Sequence, residues 1–215
     1  MQSKVILAST MVLIVVPMVI MFFNEFAGAP LKERLCLSLF QSITPRTAGF
    51  NTADLGAMSQ SGHMLMIVLM LIGGSPGSTA GGIKTTTAAV LFANTLAVFN
   101  RKKNARLFGR RIEDDTVKSA ATLLSMYLAM VLIGSFIISV AEDLPILPCL
   151  FETSSAIGTV GLSLGITPTL GPLSRAVLIA LMFFGRVGGL TLMFAALSKK
   201  GYEASQSPVE KIAVG

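Results

Sequence analysis

Apolar residues in this chain come in long uninterrupted runs. Val5 to Phe23 carries no charge, Val117 to Val140 carries one lysine, and Ala176 to Leu197 carries one arginine. About 20 such residues cross the hydrocarbon core of a bilayer as a helix, so each run predicts a membrane span. Leu31 to Ile43 and Ile146 to Ile157 are apolar but shorter. At roughly 12 or 13 residues they fall short of a crossing and suit half-helices that dip into one leaflet and return. A last pair of apolar segments, His63 to Ile72 and Ala88 to Phe99, flanks a glycine-rich stretch.

The polar interruptions are as regular as the runs. Thr44 to Thr52 follows the first short segment, and Gly158 to Gly165 follows the second. Polar, non-helical backbone between membrane elements is tolerated only where protein buries it or water reaches it. Pro45 ends the first half-helix, and a residue before proline is biased away from the helical region, so Thr44 is expected to leave it. Sliding the chain by 112 residues (159 − 47) puts Thr47 on Thr159, Gly49 on Gly161, Gly73 on Gly185 and Gly77 on Gly189. The expected fold is therefore an all-α membrane protein of two tandem helix–re-entrant pore loop–helix repeats. Residues 1–99 form the first repeat, 100–116 a basic cytoplasmic loop, 117–198 the second repeat and 199–215 a cytoplasmic tail.

Between His63 and Phe99 the chain reads Gly73-Gly74-Ser75-Pro76-Gly77-Ser78-Thr79-Ala80-Gly81-Gly82-Ile83-Lys84. Five glycines and a proline do not hold a helix. The break falls about ten residues into the segment, or roughly 15 Å at 1.5 Å per residue, near the bilayer midplane. The first repeat should thus contain a broken mid-membrane helix with a loop over residues 73–87. Gly185-Arg186-Val187-Gly188-Gly189 occupies the matching place in the second repeat, where the helix is expected to bend and continue.

Composition sharpens this picture. The chain has 215 residues, 53% hydrophobic and 13% charged, with mean hydropathy +0.74; soluble domains are about twice as charged. Its net charge of +6 raises nucleic-acid binding, but the cations are confined. Arg101, Lys102, Lys103, Arg106, Arg110 and Arg111 share one loop, and Lys199, Lys200 and Lys211 lie after the last span. That is the positive-inside pattern and places both segments in the cytoplasm. Both short segments must re-enter for the two basic stretches to share a side. Val5 to Phe23 is too long for a secretory signal and lacks a basic start and a cleavage site. Cys36 and Cys149, one in each short segment, read as packing residues, not a disulfide framework.

The candidate chemistry is ion coordination. Potassium-channel filters carry a Thr-Val-Gly-Tyr-Gly loop whose backbone carbonyls replace the ion's hydration shell. Thr47, Ala48, Gly49 and Phe50, with Thr159, Val160, Gly161 and Leu162, are the candidate filter residues, and potassium would sit at their carbonyls. Gly73, Gly74, Ser75, Pro76, Gly77, Gly81, Gly82, Lys84 and Arg186 are the candidate gate. A lone charge at mid-bilayer marks function by default; Arg186 would set an electrostatic barrier or tether the loop by its carbonyls. Lys84 would raise the cation barrier or snorkel towards the cytoplasm. Glu152 would hold its loop from behind, with Gln41 in the nearly equivalent place. His63 reads as interfacial, Asp54 as a mouth or plain loop residue, and the methionines as packing. A phosphate-binding loop needs lysine directly after its glycine, and Ile83 separates Gly82 from Lys84. No paired carboxylates, metal cluster or nucleophile–base set marks an enzyme.

Ser42 to Thr52 resembles the third filter segment of the Trk/Ktr/HKT cation-transporter superfamily. Gly73 to Lys84 resembles its intramembrane gating loop, Gly158 to Gly165 its fourth filter segment, and Arg186 the arginine facing the gate. Glu210 to Gly215 is similar to the end of pore subunits of the KtrB/TrkH type. The resemblance implies potassium uptake across a bacterial cell (inner) membrane, with sodium as a second ion, and a homodimer of pore subunits in membrane lipid. It implies a cytosolic regulatory subunit of KtrA/TrkA type, which alone would bind ATP, ADP or NAD; no cofactor is expected in this chain. Family pores have four repeats in one chain and two are found here, matching the third and fourth. The expectation is half of a pore; the alternative is a truncated, non-conducting membrane subunit that assembles with or regulates a full-length pore.

Overall fold

The computed structural model describes residues 1–102 and 104–188. Met193, the tail lysines and the expected inner half of the last span lie outside the described residues. Seven α-helices follow in order: α1 Gln2–Asn24, α2 Leu31–Ile43, α3 Gln60–Leu71, α4 Thr85–Phe99, α5 Asp114–Glu142, α6 Ile146–Ile157 and α7 Pro172–Val187. A two-stranded antiparallel ribbon, β1 Arg106–Leu107 and β2 Arg110–Arg111, joins α4 to α5. The protein is mostly helical.

α1 and α5 are long and apolar enough to cross a membrane, and only 17% and 28% of their most apolar windows are buried inside the chain. A soluble core helix would show the reverse. Pro17 sits within α1 without ending it, as membrane helices allow. α2 and α6 both begin directly after an extended proline, Pro30 and Pro145. α5 starts with Asp114 and Asp115 in its first turn, where carboxylates complement the helix dipole.

α6 is the centre of the fold. It packs against α3, α5 and α7, and every residue from Phe151 to Ile157 is buried. One apolar cluster joins Met66, Ile67, Leu69 and Met70 of α3 to Phe151; a second joins Tyr127, Val131 and Ile138 of α5 to Ile157 and to Leu178 and Leu181 of α7. Gly185 of α7 lies directly under the end of α6, where a Cβ would stand 1.9 Å from the Ile157 carbonyl oxygen. Gly185→Ala should therefore force α7 off α6 at ordinary helical dihedrals, costing about 3 kcal/mol as overpacking. A thermal melt of the detergent-purified variant checks this.

A glutamate at the C-terminal end of each long helix clasps a later helix start. Glu25, just past α1, accepts from the Ser59 amide at 2.9 Å and from its hydroxyl, and Ser59 caps α3. Glu142, the last residue of α5, accepts from the Gly171 amide at 2.8 Å and from the Ser174 hydroxyl at the start of α7. Ser59 and Gly171 are themselves 112 residues apart (171 − 59).

Several expectations are corrected. Thr44 stays right-handed helical (φ −59, ψ −36): its carbonyl accepts from the Ala48 and Gly49 amides and its hydroxyl donates to the Phe50 carbonyl, which outweighs the pre-proline bias. Cys149 is fully buried, but Cys36 is exposed, so packing does not account for it. Met66 and Met70 are core residues, whereas Met64 and Met182 are exposed. α7 ends at Val187, and Gly188 has a positive φ (+85); the expected continuation of that helix after its bend lies outside the described residues. Within the basic loop, Phe108 and Gly109, both at positive φ, make the tight turn of the β1–β2 ribbon.

Candidate functional site

Both polar loops share an unusual backbone. Thr47 and Gly49 have φ of +68 and +75; Thr159 and Gly161 have φ of +50 and +90. The residues between them, Ala48 and Val160, are not left-handed. Positive φ at a β-branched threonine is an outlier that surrounding structure must impose. In an extended strand, carbonyls point alternately to opposite sides; reversing the handedness of every second residue turns successive carbonyls towards one side. The loops also meet. A Cβ at Gly49 would lie 2.0 Å from the Val160 carbonyl oxygen, so the approach is open to glycine alone. Val160 and Leu162 bury their side chains in the α3–α6 core, whereas Phe50 is 71% exposed.

The second loop is held from behind by one buried carboxylate. Glu152 Oε1 accepts from the Ser163 hydroxyl at 2.7 Å and the Leu164 amide at 3.0 Å, and Oε2 accepts from Thr167 Oγ1 at 2.7 Å. Ser163 Oγ in turn accepts from the Gly165 amide at 2.9 Å. Gln41 is buried too, but its amide has no partner among the described residues. It does not do for the first loop what Glu152 does for the second.

The glycine-rich stretch is a closed excursion between α3 and α4. Ile83 donates its amide to the Leu71 carbonyl, Gly73 to the Ile83 carbonyl and Thr85 to the Gly74 carbonyl. Gly73 is obligatory at this neck, since a Cβ would meet the Gly81 carbonyl oxygen at 2.0 Å. The returning limb touches the second loop: at Gly81 a Cβ would stand 2.6 Å from Thr159 Oγ1 and 2.7 Å from the Gly158 oxygen.

Two cations hold the tip of the excursion. Lys84 Nζ donates to the Ala80 carbonyl at 2.6 Å and the Ser78 carbonyl at 3.2 Å; Arg186 Nη1, from α7, donates to the Thr79 carbonyl at 2.8 Å. Lys84 thus folds back onto its own loop and does not snorkel away. Arg186 borders two cavities. One, of about 520 Å³, is lined by Glu152 and Thr159 to Ser163; the other, of about 390 Å³, by Ser78 to Ala80 and Lys84.

The remaining candidates are more local. His63 Nε2 lies 2.7 Å from the Leu55 carbonyl, with its ring edge-on to Phe151. Asp54 accepts from the Gly56 amide at 3.0 Å and caps a single 3-10 turn. Gly77 bends the tip at φ +84 and contacts nothing with its missing side chain. Among the described residues no cluster of three His, Cys, Asp or Glu is placed to hold a metal ion. Sequence reasoning missed the Glu25 and Glu142 clasps, because partners 29 or more residues apart leave no local signal.

Half-helices that end in left-handed loops, packed with two helices long and apolar enough to cross a membrane, place the chain among helical membrane proteins. The chain belongs to the TrkH family, described as cation transport protein, whose profile matches residues 1–204. It is 40% identical over 225 residues to the potassium/sodium uptake protein NtpJ of Enterococcus hirae, covering 100% of this chain and 50% of that protein. It is 36% identical to the Ktr system potassium uptake protein B of Bacillus subtilis, covering 90% of this chain and 45% of the relative. In fold it is similar to the crystal structure of the potassium transporter TrkH from Vibrio parahaemolyticus, with a TM-score of 0.74 at 20% identity, covering 87% of this chain and 43% of that one. The chain spans about half the length of the curated relatives it matches.

Proposed function

We propose that this chain supplies two walls of a potassium-uptake pore, with its filter at the carbonyls of Thr47 to Phe50 and Thr159 to Leu162. The observation that carries the reading is the repeated left-handed pattern at Thr47/Gly49 and Thr159/Gly161, with the two loops in contact. A dehydrating cation needs a ring of oxygens at fixed spacing, and two loops give half a ring. Potassium is favoured as cargo by the names of the relatives, with sodium named beside it for one of them.

A bare face supports the half-pore reading. α6 is covered by α3. Aligning α2 and α6 on their proline caps places Leu35 and Cys36 where α6 has Leu150 and Phe151, which pack in the α3 cluster. On α2, Leu31, Leu35, Leu39 and Ile43 form a stripe at every fourth residue, and each is 38% exposed or more. An equivalent of α3 from another repeat would cover it. The C-terminal tail on the cytoplasmic side, a homodimer of pore subunits, and a nucleotide-binding regulatory subunit on the basic face belong to the same proposal.

Below the filter, the Gly73 to Gly82 excursion with Lys84 and Arg186 acts as the gate. Arg186→Ala removes the hydrogen bond from α7 to the Thr79 carbonyl at the tip. It should raise ion flux several-fold, as one charge-assisted hydrogen bond is worth about 1.5–3 kcal/mol; rubidium uptake into vesicles at matched protein level reads it.

The test of the whole reading is rescue of a potassium-uptake-deficient bacterium at low external potassium. Rescue beside an N-terminal half, lost in Gly161→Ser, is the expected result. Rescue by the chain alone would overturn the half-pore reading. No rescue in either case, with the protein in the membrane, would favour a non-conducting subunit.

A further inference from the structure

We propose that the groove between α4 and the cytoplasmic ribbon binds one phospholipid with an anionic headgroup, clamped by Lys102 and Arg106. This rests on the orientation in Proposed function, which puts the ribbon at the inner leaflet. The groove is a cavity of about 320 Å³ whose wall changes character along its length. One end is apolar, formed by Phe92 and Leu96, which are 67% and 46% exposed on the outer side of α4. The other end carries Lys102 and Arg106. From Phe92 to Asn100 the helix rises roughly 12 Å, enough for the upper part of an acyl chain lying beside it.

The backbone at both cations is tied down, and neither side chain has a partner among the described residues. Lys102 follows the end of α4, where its amide donates to the Ala97 carbonyl at 2.8 Å and the preceding Arg101 is left-handed. Arg106 opens β1, and the ribbon is tied down by Ala105 and Ile112, which pack on Ala93 and Ala97. The ion pairs among the described residues are Arg111–Asp114 and Lys118–Asp115, and neither involves Lys102 or Arg106. Acidic groups close by, Glu113, Asp114 and Asp115, lie on the α5 side, against a different cavity. A pair of fixed cations over an apolar channel matches a phosphodiester headgroup above its acyl chain, and the inner leaflet supplies such lipids. The exposed Phe108 at the tip of the ribbon is suited to the headgroup layer, where aromatic side chains gather.

The test is native mass spectrometry of the full chain, purified in mild detergent and titrated with phosphatidylglycerol or with phosphatidylcholine of the same acyl chains. One phosphatidylglycerol should be retained in preference to phosphatidylcholine. Each cation near an anionic surface contributes about fivefold, so Lys102→Gln with Arg106→Gln should weaken retention about twenty-five-fold. Leu96→Trp, which fills the apolar end without touching charge, should lower it as well. Arg110→Gln, which removes a charge outside the groove, should change it little. Equal retention of both lipids, or an Arg110→Gln effect as large as that of Arg106→Gln, would overturn the site in favour of diffuse attraction. Displacement by inorganic phosphate alone would show an anion site without a lipid, and a co-purifying polypeptide in place of the lipid would assign the groove to protein. Orientation is read separately, by labelling Asn104→Cys from either side of the membrane in a Cys36→Ser background, since Cys36 is itself exposed. An outward label would refute the topology, whereas an inward label without lipid retention would refute only this site.

Discussion

Gly49→Ala is expected to abolish ion uptake and to lower the yield of folded protein, while Gly161→Ala lowers uptake with only the smaller loss of stability that backbone strain brings. Both glycines are left-handed, at φ +75 and +90, and a side chain there costs about 1–2 kcal/mol in backbone strain. The difference lies in what a methyl group would meet. At Gly161 it would meet nothing within 4 Å; at Gly49 it would stand 2.0 Å from the Val160 carbonyl oxygen. Either the two loops part or the Val160 peptide turns over, and both outcomes destroy the shared carbonyl surface. Uptake assays and thermal melts on the two variants separate the effects. A Gly49→Ala protein with normal uptake would refute the contact between the loops.

Glu152→Ala should be the next most damaging change. It removes the acceptor for three donors at once, the Ser163 hydroxyl, the Leu164 amide and the Thr167 hydroxyl. Hydrogen bonds to a charged group are worth about 1.5–3 kcal/mol each, and the abandoned donors carry their own desolvation cost. Because these bonds share one group they will not add fully, and a net loss of about 4 kcal/mol is expected. Glu152→Gln keeps one acceptor oxygen but turns an amide donor towards another donor, so it should recover part of the stability. Selectivity should suffer before folding does in Glu152→Gln, since the loop loses one anchor and α6 keeps its packing. Competition of rubidium uptake by sodium measures that directly.

Apart from the last span, whose expected inner half lies outside the described residues, the helices were legible in the sequence to within a few residues. Leu31 to Ile43 and Ile146 to Ile157 emerged with the predicted bounds, because a short apolar run between polar segments has few other solutions in a bilayer. The glycine-rich interruption was equally plain. Less legible was everything that depends on contact across the chain. Thr44 kept its helical geometry through hydrogen bonds to residues not yet placed. Cys36 and Phe151 occupy like positions in like helices, yet one is bare and the other buried, because burial depends on which neighbour is present. Arg186 was recognisable as a costly charge and as a candidate tether for the loop carbonyls; that the carbonyl would be that of Thr79, 107 residues away in sequence (186 − 79), was not. Glu152 was read as a support for its loop, whereas Gln41 looked equally suited and makes no such bonds.

The zipped neck of the Gly73 to Thr85 excursion separates two kinds of change. Three backbone hydrogen bonds close it at residues 71–74 and 83–85, so α3 and α4 are positioned by the neck and not by the tip. A residue inserted between Ser75 and Ser78 would lengthen the tip and leave the stem in register. Tip length is thus a free variable for variation or engineering: under the proposed gating role, a longer or shorter tip would shift how far the barrier reaches, without requiring any compensating substitution in the helices that carry it.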